Sequence, residues 1–382
     1  MVTQAGSLKV QLIAKPESGM SGTFRYTGGL YQGLQEAGLD VCLAFPDPPP
    51  VPRPVTRGLK RLGLDLQTFF ASYPLRSHLG QADVYHITTQ TMAMLLCFQR
   101  IPGRVVVTVH DIIPYLVRHD RELNTFRHPF DYLFYCLALI GLRRADALIA
   151  VSNYTKRTLV EALRIEPEQI RVVYEAVEHE QFHPLAVPDT FRAKYGLNTE
   201  GRHILYVGSE DPRKNLSSLI RALAQVKQKV NQVKLLKVGA PHFGRERQRL
   251  LALVAELGLQ DDVLFFGQVP KADLPLFYNV VELLVIPSLY EGFGLPALEA
   301  MACGRPVIVS DRGALPEVGG SAALIVNPTD IAKLEAQITH VLEDQEYAHA
   351  LGQVGYQRAQ TFQPARQAEA TLALYNRVGQ AR

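Results

Sequence analysis

No two cysteines stand near one another in this chain. Its four, Cys42, Cys97, Cys136 and Cys303, include no CxxC pair. That spacing argues against a disulfide frame or a cysteine zinc site, and it reads as small buried hydrophobes in a reducing, cytoplasmic compartment. Excess charge is missing too. A formal net charge of +3 over 382 residues is too small for a nucleic-acid binder, though compatible with an anionic substrate. Long apolar runs are scarce. "VQLIA" near the amino terminus is too short for a signal-peptide core. "LFYCLALIGL" (133–142) has about half the ~20 residues that a membrane-spanning helix needs. It reads as a buried helix, with membrane contact as the alternative. Also missing are GxGxxG in a strand-to-helix setting, GxxxxGK[ST] and HExxH.

What is present is an ordinary globular composition, 47% hydrophobic and 20% charged, at a length that favours two domains. Strand and helix patterns alternate. Apolar, β-branched runs at 9–14, 40–45, 83–88, 104–111, 146–152 and 170–177 predict six strands. The same grammar restarts with five more at 203–209, 233–240, 262–269, 283–288 and 306–310. The runs are continuous rather than alternating, which predicts parallel sheets covered on both faces. A polar stretch without strand character (178–197) places a boundary near residue 185. The expected class is α/β, two doubly wound Rossmann-like domains with a cleft between them. They span 1–185 and 186–360, with a last helix over 361–382 that can cross back to the first domain.

The most telling stretch is "LYEGFGLPALEAMACGRPVI" (289–308). A strand ends, Gly292 and Gly294 permit a turn closed to side chains with a Cβ, and Pro296 fits a helix start. A helix N-terminus behind such a turn offers unpaired N–H groups and positive dipole to an anion, phosphate above all. Two carboxylates flank it. Glu299, a turn into the helix, suits a ribose diol, and Glu291 suits hydroxyls on the far side of the phosphates. The alternative is an ordinary turn and a helix with a surface Glu.

"VGSEDPRKNLSSLI" (207–220) opens the second half in the same manner: strand end, Gly208 and Ser209, a turn, then a helix with Asn215 at its cap position. Arg213 and Lys214 at that turn could neutralise charge on a diphosphate leaving group. A solvated pair is the alternative, although the helix dipole disfavours cations there. His110 ends an apolar strand in "TVHDIIP", where ligands of open α/β sheets bind, with a structural His as the alternative and Asp111 as a turn cap. Gly22, in "SGMSGT" (18–23), is the position where backbone could approach a ligand.

In this order and at these spacings the stretches resemble the retaining family 4 glycosyltransferases of the GT-B fold, along nearly the whole chain. The most specific part is E-x7-E, Glu291 to Glu299; "GRPV", "RGALPE", "GSEDPRKN", "TVHDIIP" and "AVSNYTKRTL" fit as well. The resemblance implies that Arg213 and Lys214 hold the donor diphosphate, Glu291 binds the donor sugar, and Gly292, Phe293, Gly294 and Leu295 supply the N–H cradle. It also places Glu299 on the ribose and His110 near the anomeric centre. It implies no cofactor and no metal, transfer of a hexose with retention from a nucleoside diphosphate sugar, and a glycan, lipid-linked or small-molecule acceptor. Ser209 departs from the Arg found in several relatives, and Phe24 from the second glycine of their "GxGRY" form.

Rival readings are a glycosidase using the two Glu, a sugar-nucleotide epimerase of the same fold, a sugar phosphorylase, and a non-catalytic nucleotide-sugar-binding protein. Residues 51–64 carry Arg53, Arg57, Lys60 and Arg61 with no acid. They form either a mobile basic loop or a patch on the acceptor side or for peripheral contact with the membrane inner face.

Overall fold

The computed structural model describes residues 8–16, 22–47, 66–126, 128–198, 201–241 and 244–380. The basic run at 51–64 and most of the loop at 18–23 lie outside them. The chain forms two compact units. One is drawn from Met1–His119, Asn124–Ala176 and Pro364–Arg382, the other from Asp120–Leu123 and Val177–Gln363. The changeover thus stands at Ala176/Val177, where the sequence reading placed it near 185. The polar stretch that suggested 185 belongs to the second unit.

In the first unit, β1 (Lys9–Ile13), β2 (Asp40–Ala44), β3 (Val84–Ile87), β4 (Arg104–Val109), β5 (Ala147–Ala150) and β6 (Ile170–Val172) form one sheet ordered β2-β1-β3-β4-β5-β6. Every pairing is parallel. Val84–Ile87 and Ala147–Ala150 are buried at every position, which is why these runs lack alternation. The Gly22–Glu36 helix connects β1 to β2, and Gly38, at φ +82°, turns the chain out of it. The Pro364–Gln380 helix packs on this unit. Ala368 lies 3.2 Å from where a Cβ on Gly33 would sit, so that glycine lets the two helices approach.

The apolar stretch at 133–142 lies in the Pro129–Leu142 helix, and its burial needs correction. Tyr135, Ala138, Leu139, Gly141 and Leu142 are buried, but Phe130, Leu133 and Ile140 are 62%, 51% and 49% exposed. One face packs inward and the other stays open. Among the described residues no helix is long and apolar enough to cross a membrane.

In the second unit, β7 (Arg202–Val207), β8 (Val233–Val238), β9 (Val263–Gly267), β10 (Leu283–Ile286), β11 (Val307–Ser310) and β12 (Leu324–Val326) give the order β12-β11-β10-β7-β8-β9, again all parallel. This is the dinucleotide-fold order, and its connections change direction between β7 and β10. Ligands of open α/β sheets bind at such a switch point, beyond the carboxyl ends of the strands. β12 is a strand that the sequence pattern did not predict. It has three residues at the sheet edge, and Ile325 is 43% exposed, so no buried apolar run marks it.

Candidate functional site

Two loops leave the switch point of the second sheet. After β7, Gly208 donates its N–H to Val238 O at 2.9 Å, and a Cβ on Gly239 would collide with the Gly208 backbone. The ends of β7 and β8 therefore meet backbone to backbone. The chain then makes a 3₁₀ turn, Pro212–Lys214, which Asp211 caps by accepting from Arg213 N at 3.1 Å. Asp211 also accepts from Arg213 Nε at 3.1 Å, which aims the guanidinium so that Nη1 donates to Tyr290 O at 3.0 Å. Lys214 Nζ donates to Glu291 Oε2 at 2.5 Å. Leu289 N donates to Arg213 O at 2.7 Å, so the two loops are stitched through main chain as well as side chains.

After β10 the chain passes Glu291 and Gly292 and enters the Leu295–Ala302 helix through Gly294 at φ +111°. That φ calls for glycine, and a Cβ there would also stand 2.7 Å from Leu315 Cδ2, which would have to move. Burial would push the Glu291 carboxyl up, but the Lys214 and Arg213 charges outweigh it and hold the group below the ordinary carboxylate range. The arrangement is an ionised carboxylate and two cations beside a helix N-terminus. It can bind a polyhydroxylated anion by pairing phosphate with the cations and hydroxyls with the carboxylate.

The first unit presents a second group of side chains at the end of β4. His110 Nδ1 lies 2.7 Å from Glu175 Oε1, and Nε2 lies 3.0 Å from Thr88 O. Its backbone is held as well. His110 N donates to Gln90 Oε1 at 3.1 Å, and Thr155 Oγ1 donates to His110 O at 3.1 Å. Ser152 fixes Thr155 by capping the Asn153–Leu163 helix. The Tyr26 ring lies perpendicular to the His110 ring, with centroids 4.8 Å apart. Burial would lower the His110 pKa, yet the hydrogen bond and charge of Glu175 raise it above that of an ordinary histidine.

Comparison with known proteins places the chain in a family. The model described as "Glycosyl transferases group 1" matches residues 188–358, and "Glycosyltransferase Family 4" matches 20–181. The chain belongs to glycosyltransferase family 4. It is 33% identical over 293 residues to the serotype-specific mannosyltransferase WbdA of Escherichia coli, covering 72% of this chain and 33% of that protein. It is 29% identical over 365 residues to the MMP alpha-(1->4)-mannosyltransferase of Mycolicibacterium hassiacum, covering 87% and 82%. The chain thus spans about a third of the first curated relatives it matches. Sucrose-phosphate synthase from Thermosynechococcus elongatus superposes at TM-score 0.77 and 26% identity, over 98% of this chain and all of that one. The fold is accordingly GT-B.

In this family 4 chain the predicted residues fall as follows. Gly208, Ser209, Arg213, Lys214, Glu291, Gly292, Phe293, Gly294 and Leu295 lie on the two loops at the β7/β10 switch point. Arg213 and Lys214 do not form a solvated pair, since each has a protein acceptor. Glu299 is not a surface Glu. It is 1% exposed and accepts from Tyr278 OH at 2.5 Å, turned into the unit where Glu291 stays at the loop. Asn215 holds the cap position, but its side chain does not cap. Its Nδ2 donates to Pro287 O and Pro328 O at 3.1 and 2.9 Å and ties three segments together. His110 and Gly22 belong to the first unit. Gly22 opens the Gly22–Glu36 helix, and Asp111 does cap its turn by accepting from Ile113 N at 3.0 Å.

Sequence reasoning missed Asp211, Glu175, Thr88, Gln90, Thr155 and Tyr278. Two of them left a readable signal. Asp211 directly precedes a proline at a strand exit, a usual turn-capping position. Glu175 is a lone acid between apolar neighbours just past β6. A further group escaped notice: Lys237 and Glu210 are each 0% exposed and 2.7 Å apart, with Arg247 Nη1 3.2 Å from the same Glu210 oxygen. This buried ion cluster lies under the loop that carries Asp211 to Lys214.

Proposed function

We propose that the chain transfers a hexose from a nucleoside diphosphate sugar to a hydroxyl acceptor, with retention at the anomeric carbon and without a metal. The observation that carries this reading is the Lys214–Glu291 pair at the β7/β10 switch point, with Arg213 beside it and the Leu295–Ala302 helix N-terminus behind it. The diphosphate would lie against the N–H groups of 292–295 and exchange contacts with Arg213 and Lys214. Glu291 would accept from sugar hydroxyls. Glu299, already holding Tyr278, would take the ribose. The C1–O bond to the diphosphate breaks as the acceptor oxygen bonds to C1 from the same face, and the acceptor proton passes to the departing phosphate oxygen. The protein's part is to position both substrates and to stabilise the leaving charge. The acceptor is a glycan, lipid-linked or small-molecule hydroxyl, and contact with an anionic membrane through 51–64 belongs to the same proposal.

The names of the matched mannosyltransferases make GDP-mannose the first donor to try, with UDP-glucose, UDP-N-acetylglucosamine, UDP-galactose and dTDP sugars beside it. Nucleoside diphosphate release is followed with and without lipid extract and chelator. Release from one donor, unaffected by chelator and reduced about 10²–10³-fold in Lys214→Met, is the expected result. No release from any donor, and no donor binding by calorimetry, overturns the transferase reading. Binding without release favours the nucleotide-sugar-binding alternative.

A further inference from the structure

A neutral imidazole has one N–H and one lone pair. His110 does not face partners of that kind. Nδ1 looks at a carboxylate oxygen of Glu175, and Nε2 looks at the main-chain oxygen of Thr88. A carbonyl only accepts, and so does an ionised carboxylate. With both atoms at hydrogen-bonding distance, an unprotonated nitrogen would set lone pair against lone pair on one side. Moving the proton from His110 to Glu175 would also satisfy the geometry, but an imidazole is the stronger base by about two pKa units in the unperturbed state. We propose that Glu175 is a positioning residue that keeps His110 as an imidazolium, so that His110 serves as a fixed cation and not as a base.

The groups around the ring agree. The Asp111 carboxylate adds negative potential from the loop after β4. His86, on β3, is fully buried between Tyr375 OH at 2.6 Å and Thr108 Oγ1 at 2.7 Å. Burial, aided by the His110 charge, lowers its pKa to about 3, so it stays neutral and does not compete with His110 for the cationic role. Tyr26 OH is bonded to Thr108 Oγ1 at 2.8 Å, and its ring stands perpendicular to that of His110. Gln90 and Thr155 bind the His110 backbone and spare its ring. Only Glu175 supplies an acidic side chain within hydrogen-bonding distance of the ring among the described residues, and it is 7% exposed, where a charge acts through little water. In the proposed transfer an imidazolium has no lone pair with which to attack C1 or take the acceptor proton. That last step rests on the proposed transfer; the protonation state does not.

The test separates the two. The full chain is labelled with ¹⁵N-histidine, His110 is assigned by the signal missing in His110→Asn, and its nitrogen shifts are followed from pH 5 to 9 without substrate. The expected result is a doubly protonated His110 at pH 7, with a titration midpoint about one pH unit or more lower in Glu175→Gln, a tenfold or larger change in proton affinity. Glu175→Asp, which keeps the charge, should retain most of the elevation. A singly protonated His110 at pH 7 in the unaltered protein overturns the proposal whether or not any variant folds. An unchanged midpoint in Glu175→Gln does the same. Where a donor is found, the turnover of Glu175→Gln should decline from a lower pH than that of the parent, with donor KM little changed. If no donor is found, the nitrogen shifts still decide.

Discussion

Glu210→Ala should be among the most damaging single changes in the second unit, although Glu210 touches no proposed substrate. Lys237 and Glu210 are both fully buried and 2.7 Å apart, and Arg247 reaches the same oxygen at 3.2 Å. Lys237 Nζ also donates to Gly239 O at 2.5 Å. Glu210 offsets the burial of Lys237 by close contact and by charge. Removing one member of a buried pair costs about 3–5 kcal/mol, because the other charge stays behind. Arg247 is 22% exposed and can hydrate, so the lower part of that range applies. For 150–250 residues each kcal/mol moves Tm by about 2–4 °C, which gives a drop of roughly 6–15 °C. The pH dependence supplies a second mark. Burial already lowers the Lys237 pKa, and Glu210 opposes that. Without Glu210 the depression deepens. The unfolded chain then binds more protons than the folded one over a wider window below 10.5, so the variant gains stability as pH rises through it. The assay is denaturant unfolding of Glu210→Ala, Lys237→Met and Glu210→Leu/Lys237→Met between pH 6 and 9. The double variant, with both buried charges gone, should be more stable than Glu210→Ala. A Glu210→Ala protein within about 1 kcal/mol of the parent, or less affected than Lys237→Met, would refute the reasoning, since Lys237→Met leaves Glu210 paired with Arg247 whereas Glu210→Ala leaves the buried Lys237 ammonium without a carboxylate.

Three further outcomes follow from the site. Gly313 has φ +65°, and a Cβ on it would stand 2.7 Å from Glu291 N; Gly313→Ala should cost about 1–3 kcal/mol and weaken donor binding in calorimetry, and unchanged values for both would show that the loop is not held as described. Tyr278→Phe removes the 2.5 Å donor to a buried carboxylate and should cost about 1.5–3 kcal/mol by chemical denaturation; no loss would mean that the bond contributes nothing net. Glu291 has a depressed pKa, so its contribution to stability is present above the ordinary value of 4.5 and fades as pH falls through the depressed one. Acid titration of the melting temperature should show this fall flattened in Lys214→Met; equal acid sensitivity in both proteins would count against the pair.

How much of this was legible depended on what each residue touches. Strands at the sheet centres announced themselves, because positions such as Leu283–Ile286 and Val307–Ser310 are buried throughout and burial on both faces demands an unbroken apolar run. β12 did not, because an edge strand buries too little to constrain its composition. The 133–142 stretch misled, since apolar composition does not say which face of a helix finds a partner. At Glu299 it is the surface-Glu alternative that fails. A carboxylate on a helix is usually solvated, and only the tertiary fold sets Tyr278 against this one. Glu175 left only a local signal, a lone acid just past β6, and its partner lies 65 residues away.

The Lys214–Glu291 pair shows where sequence information runs out. Each residue can be nominated alone, as a charged group just past the carboxyl end of a buried strand. Whether they meet is a property of strand order, and they are 77 residues apart. Had the second sheet run β7-β8-β9-β10 in sequence, the two strand ends would stand three strand spacings apart, roughly 14 Å at ~4.8 Å each, too far for an ion pair. In the observed order β7 and β10 are direct neighbours, one spacing apart, and the loops that leave them must share the same space. The reversal that places β10 beside β7 is the step that turns two unrelated charged residues into one binding surface. It is enforced by the second unit's core, which packs Leu219, Leu223 and Val226 of the Leu216–Val226 helix and Leu334 and Ile338 of the Ile331–Glu343 helix in one buried cluster with Ile204 of β7 and Leu283 and Val285 of β10. The hydrophobic pattern therefore determines the candidate site indirectly, by selecting which strand ends are adjacent.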